Sequence, residues 1–115
     1  MFRFEELEIW RLAVEYGKDC YRLTRQFPKE EMYGLADQLR RAAISISNNI
    51  AEGSVGSAQN FKRYLTMVIG SSLETVNILN FAHEVQYISQ ENKNEMYEKA
   101  EKLIRKVRNF SKSLS

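Results

Sequence analysis

The chain has 115 residues, of which 43% are hydrophobic and 28% are charged, and its net charge is only +2. This composition is typical of one globular domain and excludes a disordered or fibrous chain. The charge is too small for a protein whose whole surface is basic. The single cysteine excludes an internal disulfide. No apolar run is long enough for a signal peptide or a membrane span, so we expect a cytoplasmic protein that does not enter a membrane.

The first predicted helix covers about residues 5–27. Apolar residues recur there at spacings of three and four, which is the helical signature. They form two adjacent stripes, so the apolar face is wide enough for the helix to lie deep in the protein or to face another subunit. Pro28 ends the helix, because a proline disfavours helical backbone at the residue before it.

The second predicted helix covers about residues 34–52 and has two faces. The apolar face contains Leu35, Leu39, Ala42, Ala43, Ile46 and Ile50. A polar stripe with the same spacing contains Gln38, Arg41, Ser45, Asn48 and Glu52. Serine and asparagine are weaker helix formers than lysine and glutamate, so this stripe is either a solvated face or an interface. Gly53 is predicted to end the helix in the left-handed conformation.

The third and fourth predicted helices cover about residues 57–87 and 90–114, with Ser57 and Ser89 as N-caps. In the middle of the third helix, the sequence Gly70-Ser71-Ser72 predicts close approach of the small face of the second helix. In the fourth helix an apolar seam repeats every four and three residues, through Met96, Ala100, Leu103, Val107, Phe110 and Leu114.

Four helices joined by three short loops predict an all-α fold that forms one domain over residues 1–115. Short connections favour antiparallel neighbours and therefore an up-down-up-down four-helix bundle. The chain has many aromatic residues for its size, and some, including Trp10, lie off the main seams. Because aromatic side chains are enriched in interface cores, we expect the bundle to form a homo-oligomer.

Charge is distributed unevenly along the chain. Residues 99–115 carry six basic side chains and one acidic one, a net +5, whereas the other 98 residues carry eleven basic and fourteen acidic ones, a net −3. A basic strip of this kind can neutralise the phosphates of a nucleic acid. The alternative is that the cations stabilise the C-terminal end of the helix dipole and keep the protein soluble. The candidate phosphate contacts are Lys102, Arg105, Lys106, Arg108 and Lys112, with Arg40 and Arg41 second.

Catalysis has little support in the sequence. His83 is the only histidine and Cys20 the only cysteine, so a zinc site of the usual composition cannot form. Cys20 lies on an apolar stripe, which favours a buried and inert thiol. No motif for a cofactor or a small-molecule substrate is present. We therefore predict a protein that is not an enzyme.

Several short motifs together resemble a known family. They are Tyr33-Gly34-Leu35, Arg40-Arg41-Ala42-Ala43, Asn49-Ile50-Ala51-Glu52-Gly53 and Gly70-Ser71, and the likeness covers essentially the whole chain. The chain resembles the S23 or 23S rRNA intervening-sequence proteins, a family of four-helix bundles related to the accessory variability determinants of diversity-generating retroelements.

The resemblance implies a ring-like homo-oligomer, with a pentamer favoured, and an association with RNA. It also implies that Arg40, Arg41, Asn49 and Glu52 are distinctive polar positions of the family. We interpret these, with Gln38, Ser45, Asn48 and Trp10, as candidates for an interface or for fixing the fold. The functional hypothesis is a homo-oligomeric binding or scaffold module that binds structured RNA or a ribonucleoprotein. The alternative is a protein–protein interaction module with no role in nucleic-acid binding.

Overall fold

The computed structural model describes all 115 residues and contains four helices and no strand, as predicted. The helices are α1 (Glu8–Thr24), α2 (Leu35–Gly53), α3 (Ala58–Glu84) and α4 (Gln90–Ser113). Short 3₁₀ turns at Arg3–Glu6 and Lys29–Glu31 precede α1 and α2. None of the helices combines the length and apolar character needed to cross a bilayer.

Each helix packs against two others, so that α1, α2, α3 and α4 form a closed square around the core. Side-chain contacts show how neighbouring helices are oriented. Arg40, near the start of α2, donates a hydrogen bond to Thr24 at the end of α1. Phe61, near the start of α3, packs edge-on against Phe110, near the end of α4. Both contacts place the start of one helix beside the end of another, which is the arrangement expected of an up-down-up-down bundle.

The core is one apolar cluster to which all four helices contribute. The predicted seam of α4 points into it: Met96, Ala100, Leu103 and Val107 are buried, and Phe110 and Leu114 pack against its edge. Burial of such side chains removes their apolar surface from water, which is the main stabilising contribution in a bundle of this size.

One polar contact crosses the core from α1 to α3. The Tyr16 hydroxyl lies 2.8 Å from Thr75 Oγ1, and Thr75 Oγ1 also lies 2.6 Å from the carbonyl oxygen of Ser72. A threonine hydroxyl has one proton, which it donates to the carbonyl, so Tyr16 is the donor to Thr75. Burial raises the pKa of Tyr16 well above its ordinary value. The buried hydroxyls therefore satisfy one another, as buried polar groups must.

The first and third helices are shorter than the sequence predicted. Helix α1 ends at Thr24, yet Phe27 is still buried and packs on Tyr87 with ring centroids 5.5 Å apart. The apolar pattern of the sequence extends past the end of α1 because the turn that follows this helix also faces the core. Helix α3 ends at Glu84 because Gln86 adopts a left-handed φ of 68°, and the amide of Tyr87 donates to the carbonyl of Ala82. This is the Schellman pattern, here with glutamine where glycine is usual.

Gly53 does not end α2 through a left-handed backbone, as the sequence suggested. No glycine of the chain has a positive φ, and Gly53 is the last residue of the helix. A Cβ atom at this position would lie 2.6 Å from Tyr64 Cβ and 2.8 Å from Phe61 Cδ1. The glycine is required because α3 crosses α2 too closely here for any side chain.

The prediction that Gly70 makes a close helix contact is wrong. Gly70 is exposed, and a Cβ atom there would have no neighbour within 4 Å. The contact between α2 and α3 is made instead by the next residue, because the Ser71 hydroxyl lies 2.9 Å from the Ser45 hydroxyl. Ser72 is fully buried. The predicted partner helix was correct, but the residue that meets it was not.

Glu31 joins two loops at one end of the bundle. Its Oε1 accepts a hydrogen bond from the Leu35 amide at the start of α2, and its Oε2 accepts one from the Tyr87 hydroxyl, at 3.0 and 2.8 Å. The amide bond, followed by the tyrosine bond, holds the pKa of Glu31 below its ordinary value. The same contact raises the pKa of Tyr87.

We predict opposite effects of alanine at two glycines. Gly53→Ala should destabilise the fold by about 1–3 kcal/mol, because Tyr64 and Phe61 must move to admit the methyl group. Gly70→Ala should stabilise the isolated chain by up to about 1 kcal/mol, because alanine is the better helix former and the site is open. Urea unfolding of both variants in dilute solution measures the two changes. Equal effects would contradict the assignment of the close crossing to Gly53.

We predict that Glu31→Ala lowers stability at about pH 7 and has less effect at about pH 3.5. A carboxylate whose pKa is lower in the folded state stabilises the fold above its unfolded pKa of about 4.3, and this contribution disappears as the pH falls through the folded pKa. Thermal unfolding across this range measures the gap between variant and wild type. Glu30→Ala is the matched control, since Glu30 is an exposed neighbour without these bonds, and its difference from wild type should change less with pH than that of Glu31→Ala.

Candidate nucleic-acid interface

The cations of α4 divide into two groups, since the predicted strip is not one surface. One group faces α1. Lys99 Nζ lies 2.7 Å from Asp19 Oδ2 and 3.1 Å from Glu95 Oε1, and Lys106 Nζ lies 3.5 Å from Glu8 Oε1. The bond to Asp19 raises the pKa of Lys99. These charges are largely neutralised within the bundle, which leaves them less available for a phosphate.

The second group points away from the bundle. Arg105, Arg108 and Lys112 are exposed, and helical spacing places them opposite the buried seam. None of them takes part in the ion pairs of the chain. Lys102 is also exposed and unpaired, but it lies at the edge of the α1–α4 groove, near Glu15 and Asp19. The three outward residues, which we call the α4 cation row, are therefore the strongest candidate for phosphate contact.

The two arginines of α2 have different surroundings. Arg40 is half-buried between α1 and α2, with its guanidinium 5.0 Å from the centre of the Tyr21 ring and its Nε 3.0 Å from Thr24 Oγ1. Arg41 is exposed on the outer face of α2, where its Nε lies 2.7 Å from Asp37 Oδ2. Arg40 thus joins two helices, a cation–π contact being worth about 0.5–2 kcal/mol. Arg41 is a surface cation with a nearby counter-charge.

The polar stripe of α2 lies largely on the surface, and its Ser45 is held by hydrogen bonds within the chain. Asn49 Nδ2 donates to the carbonyl of Ser45 at 2.8 Å and contacts its hydroxyl at 3.1 Å. The side chains of Gln38, Asn48 and Glu52 make no hydrogen bond within the chain and are exposed. Ser45 is therefore held in place by contacts within the chain, whereas the side chains of Gln38, Asn48 and Glu52 are free to contact another molecule.

Trp10 belongs to an aromatic group at the start of the chain. It is half-buried and packs edge-on against Phe4, with centroids 5.2 Å apart, and Phe4 stacks on the exposed Phe2 at 6.1 Å. The intervening Arg3 donates to the carbonyl of Ser54 at 2.9 Å and lies over Phe61. Trp10 thus helps to fix the N-terminal turn onto the bundle.

A groove between α1 and α2 was not anticipated from the sequence. It has a volume of about 430 Å³ and an apolar floor that includes Val14, Gly17 and Ile44. Lys18, Arg22 and Arg25 line its rim. Ile44 is 45% exposed because it lies off the core stripe of α2. The position of this apolar residue off the core stripe is the only feature of the sequence that could have indicated the groove.

The two candidate reactive side chains lie apart and in unreactive settings. Cys20 is fully buried, and this burial, with the nearby charge of Asp19, raises its pKa to about 12. His83 is partly exposed and has a carboxylate of Glu84 3.8 Å from Nδ1. No group of three or more His, Cys, Asp or Glu side chains is placed to hold a metal ion.

Comparison with known proteins identifies a family. The family model described as 23S rRNA-intervening sequence protein matches residues 5–109. No curated protein matches the chain. The matched region includes all four helices almost completely, together with Arg105 and Arg108 of the α4 cation row.

We predict that Cys20 does not react with thiol reagents while the protein is folded. With a pKa of about 12, only about one thiol in ten thousand is ionised near pH 8, and the sulfur is shielded from solvent. Reaction with a disulfide reagent should therefore follow the rate of unfolding. A Cys20→Ala/Ser115→Cys variant, with an exposed thiol, supplies the matched control and should react at once. Fast labelling of folded wild type would contradict the structure.

Proposed function

We propose that this chain, which belongs to the 23S rRNA-intervening sequence protein family, is a non-enzymatic binding module that self-associates and contacts structured RNA in the cytoplasm. The observation that carries the proposal is the α4 cation row of Arg105, Arg108 and Lys112. These side chains are exposed and have no carboxylate partner, whereas Lys18, Arg22, Arg41, Lys99 and Lys106 each lie within 3.5 Å of a carboxylate oxygen. Unpaired outward cations bind phosphates without first breaking an ion pair.

The mechanism is electrostatic and largely independent of sequence. Each phosphate that a cation neutralises releases counterions, which makes the affinity depend on salt. From Arg105 to Lys112 the row extends about 10 Å along the helix, at 1.5 Å per residue. One row alone therefore contacts a short stretch of backbone and binds weakly.

Assembly would raise this weak affinity. We propose a ring-like homo-oligomer, with a pentamer favoured by the resemblance to the family. Several rows presented on one assembly bind the same RNA together, because the second contact is intramolecular once the first has formed. The free polar side chains of Gln38, Asn48 and Glu52, together with the exposed Phe2, offer surfaces between copies.

The alternative is a protein-interaction module, and the α1–α2 groove favours it. An apolar floor with a cationic rim suits an acidic amphipathic helix of another protein. The two functions use different surfaces, since the groove involves α1 and α2 whereas the cation row is on α4. Ile44→Arg should abolish groove binding and leave RNA binding unchanged.

We predict that replacing the α4 cation row with glutamine weakens RNA binding. Arg105→Gln/Arg108→Gln/Lys112→Gln should raise the Kd for a structured 23S rRNA fragment at least about 10-fold at low salt. It should also reduce the slope of log affinity against log salt by about 2, since the slope falls by about 0.7–0.9 for each phosphate that is no longer neutralised. Filter binding across a salt series measures both.

The matched control removes the same number of charges from paired positions. Lys18, Arg22 and Arg41 each have a carboxylate within 3.3 Å. Lys18→Gln/Arg22→Gln/Arg41→Gln has the same net charge as the first variant and should change the Kd less than about 3-fold. Wild type that does not bind, or binding that is indifferent to salt, would overturn the proposal. Equal increases in Kd for the two triple variants would reject the α4 cation row as the site.

A further inference from the structure

Helix α3 has a second seam that nothing in the chain covers. Its residues alternate at spacings of four and three, all are exposed, and they lie away from the core face of the helix. We call them the outer α3 row: Arg63, Met67, Gly70, Glu74, Asn77 and Phe81. This spacing is the one by which two helices pack side by side. Helix α3 therefore has one row buried in the bundle and another of the same type that faces solvent.

Three features of the outer α3 row have no explanation within one copy. Met67 is 43% exposed and Phe81 is 56% exposed. Gly70 weakens the helix at its middle without any neighbour within 4 Å to require a glycine. Glu74 has no ion-pair partner in the chain, and Arg63 has no carboxylate partner, although its guanidinium donates to Asn60 Oδ1 at 2.8 Å and lies 5.9 Å from the centre of the Tyr64 ring. Each feature is of the kind that a neighbouring helix would account for.

The row is complementary to itself when two copies are placed antiparallel. In the register centred between residues 68 and 69, Arg63 of one copy lies opposite Glu74 of the second, and Met67 lies opposite Gly70 of the second. The two-fold axis repeats each pair, which gives two opposite-charge contacts and two methionines against two glycines. An absent glycine side chain leaves the space that a methionine side chain needs.

The ends of the same register also match. Asn60 lies opposite Asn77 of the second copy, so two amides face each other. Phe81 lies beyond the first turn of α3 of the second copy, on the side of the preceding loop, where the side chain of Val55 is 86% exposed. Two further apolar side chains that are open to solvent in a single copy would thus be covered together.

Other registers lack this complementarity. A shift by one heptad places Phe81 opposite Arg63 of the second copy and Glu74 opposite its Gly70, and no opposite charges meet. In a parallel pair Arg63 faces Arg63 and Glu74 faces Glu74, which is repulsive. The charges therefore select one antiparallel register.

We infer that the outer α3 row is an interface with a second copy of this chain, formed antiparallel about a two-fold axis. This inference goes beyond the proposed RNA-binding function and does not depend on that function. A two-fold contact uses the same patch on both copies, whereas a ring closes through two different patches. The α3 contact alone produces a dimer, and in a ring-forming protein it joins copies from two rings.

The test is a charge exchange across the proposed axis. Arg63→Glu and Glu74→Arg should each weaken the α3 contact at least about 10-fold, since each places like charges opposite one another twice. The double variant Arg63→Glu/Glu74→Arg should restore the affinity to within about 3-fold of wild type. Sedimentation velocity over a concentration series measures association, and filter binding to the 23S rRNA fragment is followed in parallel.

Two further variants separate the interface from the fold. Lys62→Glu reverses the neighbouring exposed cation, which lies outside the row, and should not change association. Gly70→Ala should weaken association about 10-fold, because its methyl group occupies the space for Met67 of the second copy, and should raise the unfolding midpoint of the dissociated chain. A variant that merely misfolded would lower that midpoint.

The proposal is overturned if wild type stays monomeric at all concentrations. It is also overturned if the charge-exchanged double variant associates no better than the single variants, or if Gly70→Ala associates as wild type does. If the charge-exchange variants associate as expected but the wild type does not bind the RNA fragment, the proposed function alone is rejected. If the wild type binds RNA but does not form this two-fold contact, this interface alone is rejected.

Discussion

The close crossing of α2 and α3 at Gly53 sets the geometry at one end of the bundle. Because the glycine has no side chain, Tyr64 and Phe61 pack directly on the last turn of α2. Phe61 then reaches Phe110 of α4, and the guanidinium of Arg3 lies over its ring. Three helices and the N-terminal turn therefore meet around one phenylalanine whose position depends on a missing methyl group. A side chain at residue 53 would displace every one of these contacts.

The functional argument depends on how the bundle uses its charges. Lys99, Lys106 and Arg40 each contact a group on another helix, so their charges help to hold the bundle together. Arg105, Arg108 and Lys112 contact no acidic group and contribute to the external field. A chain with a net charge of +2 can thus still present a local basic surface, since Glu101 is the only acidic residue among the last seventeen. Whether a cation has a carboxylate partner nearby decides whether it is a candidate for phosphate contact. The total charge of the chain does not decide this.

The periodicity of the sequence predicted the number of helices, their core faces and the serine caps, because each depends on residues close together in the chain. Ser57 and Ser89 accept hydrogen bonds from the amides of Asn60 and Asn92, as expected of caps. The ends of α1 and α3 were less predictable, because Phe27 stays buried beyond the helix and Gln86 takes a conformation usual for glycine.

The candidate site was predictable only in part. Local sequence correctly indicated an α4 rich in cations but could not separate Lys106 from Arg108. Their difference arises from Glu8, which lies almost a hundred residues earlier in the chain. The close approach was assigned to Gly70 instead of Gly53 for the same reason, since close approach is a property of two helices. The α1–α2 groove was missed because it depends on the gap between helices and not on either helix alone.

The hydrogen bond between Tyr16 and Thr75 has a consequence for the uniqueness of the fold. Apolar seams tolerate sliding, because a helix moved by one turn, about 5.4 Å, again presents apolar residues to its neighbours. A buried hydroxyl pair at 2.8 Å tolerates no such movement, since any slip would leave the Tyr16 hydroxyl without its acceptor in the core. The pair therefore fixes the alignment of α1 relative to α3, two helices that are not adjacent in sequence. It disfavours slipped and helix-exchanged forms, which are the usual errors of a protein built from similar amphipathic helices.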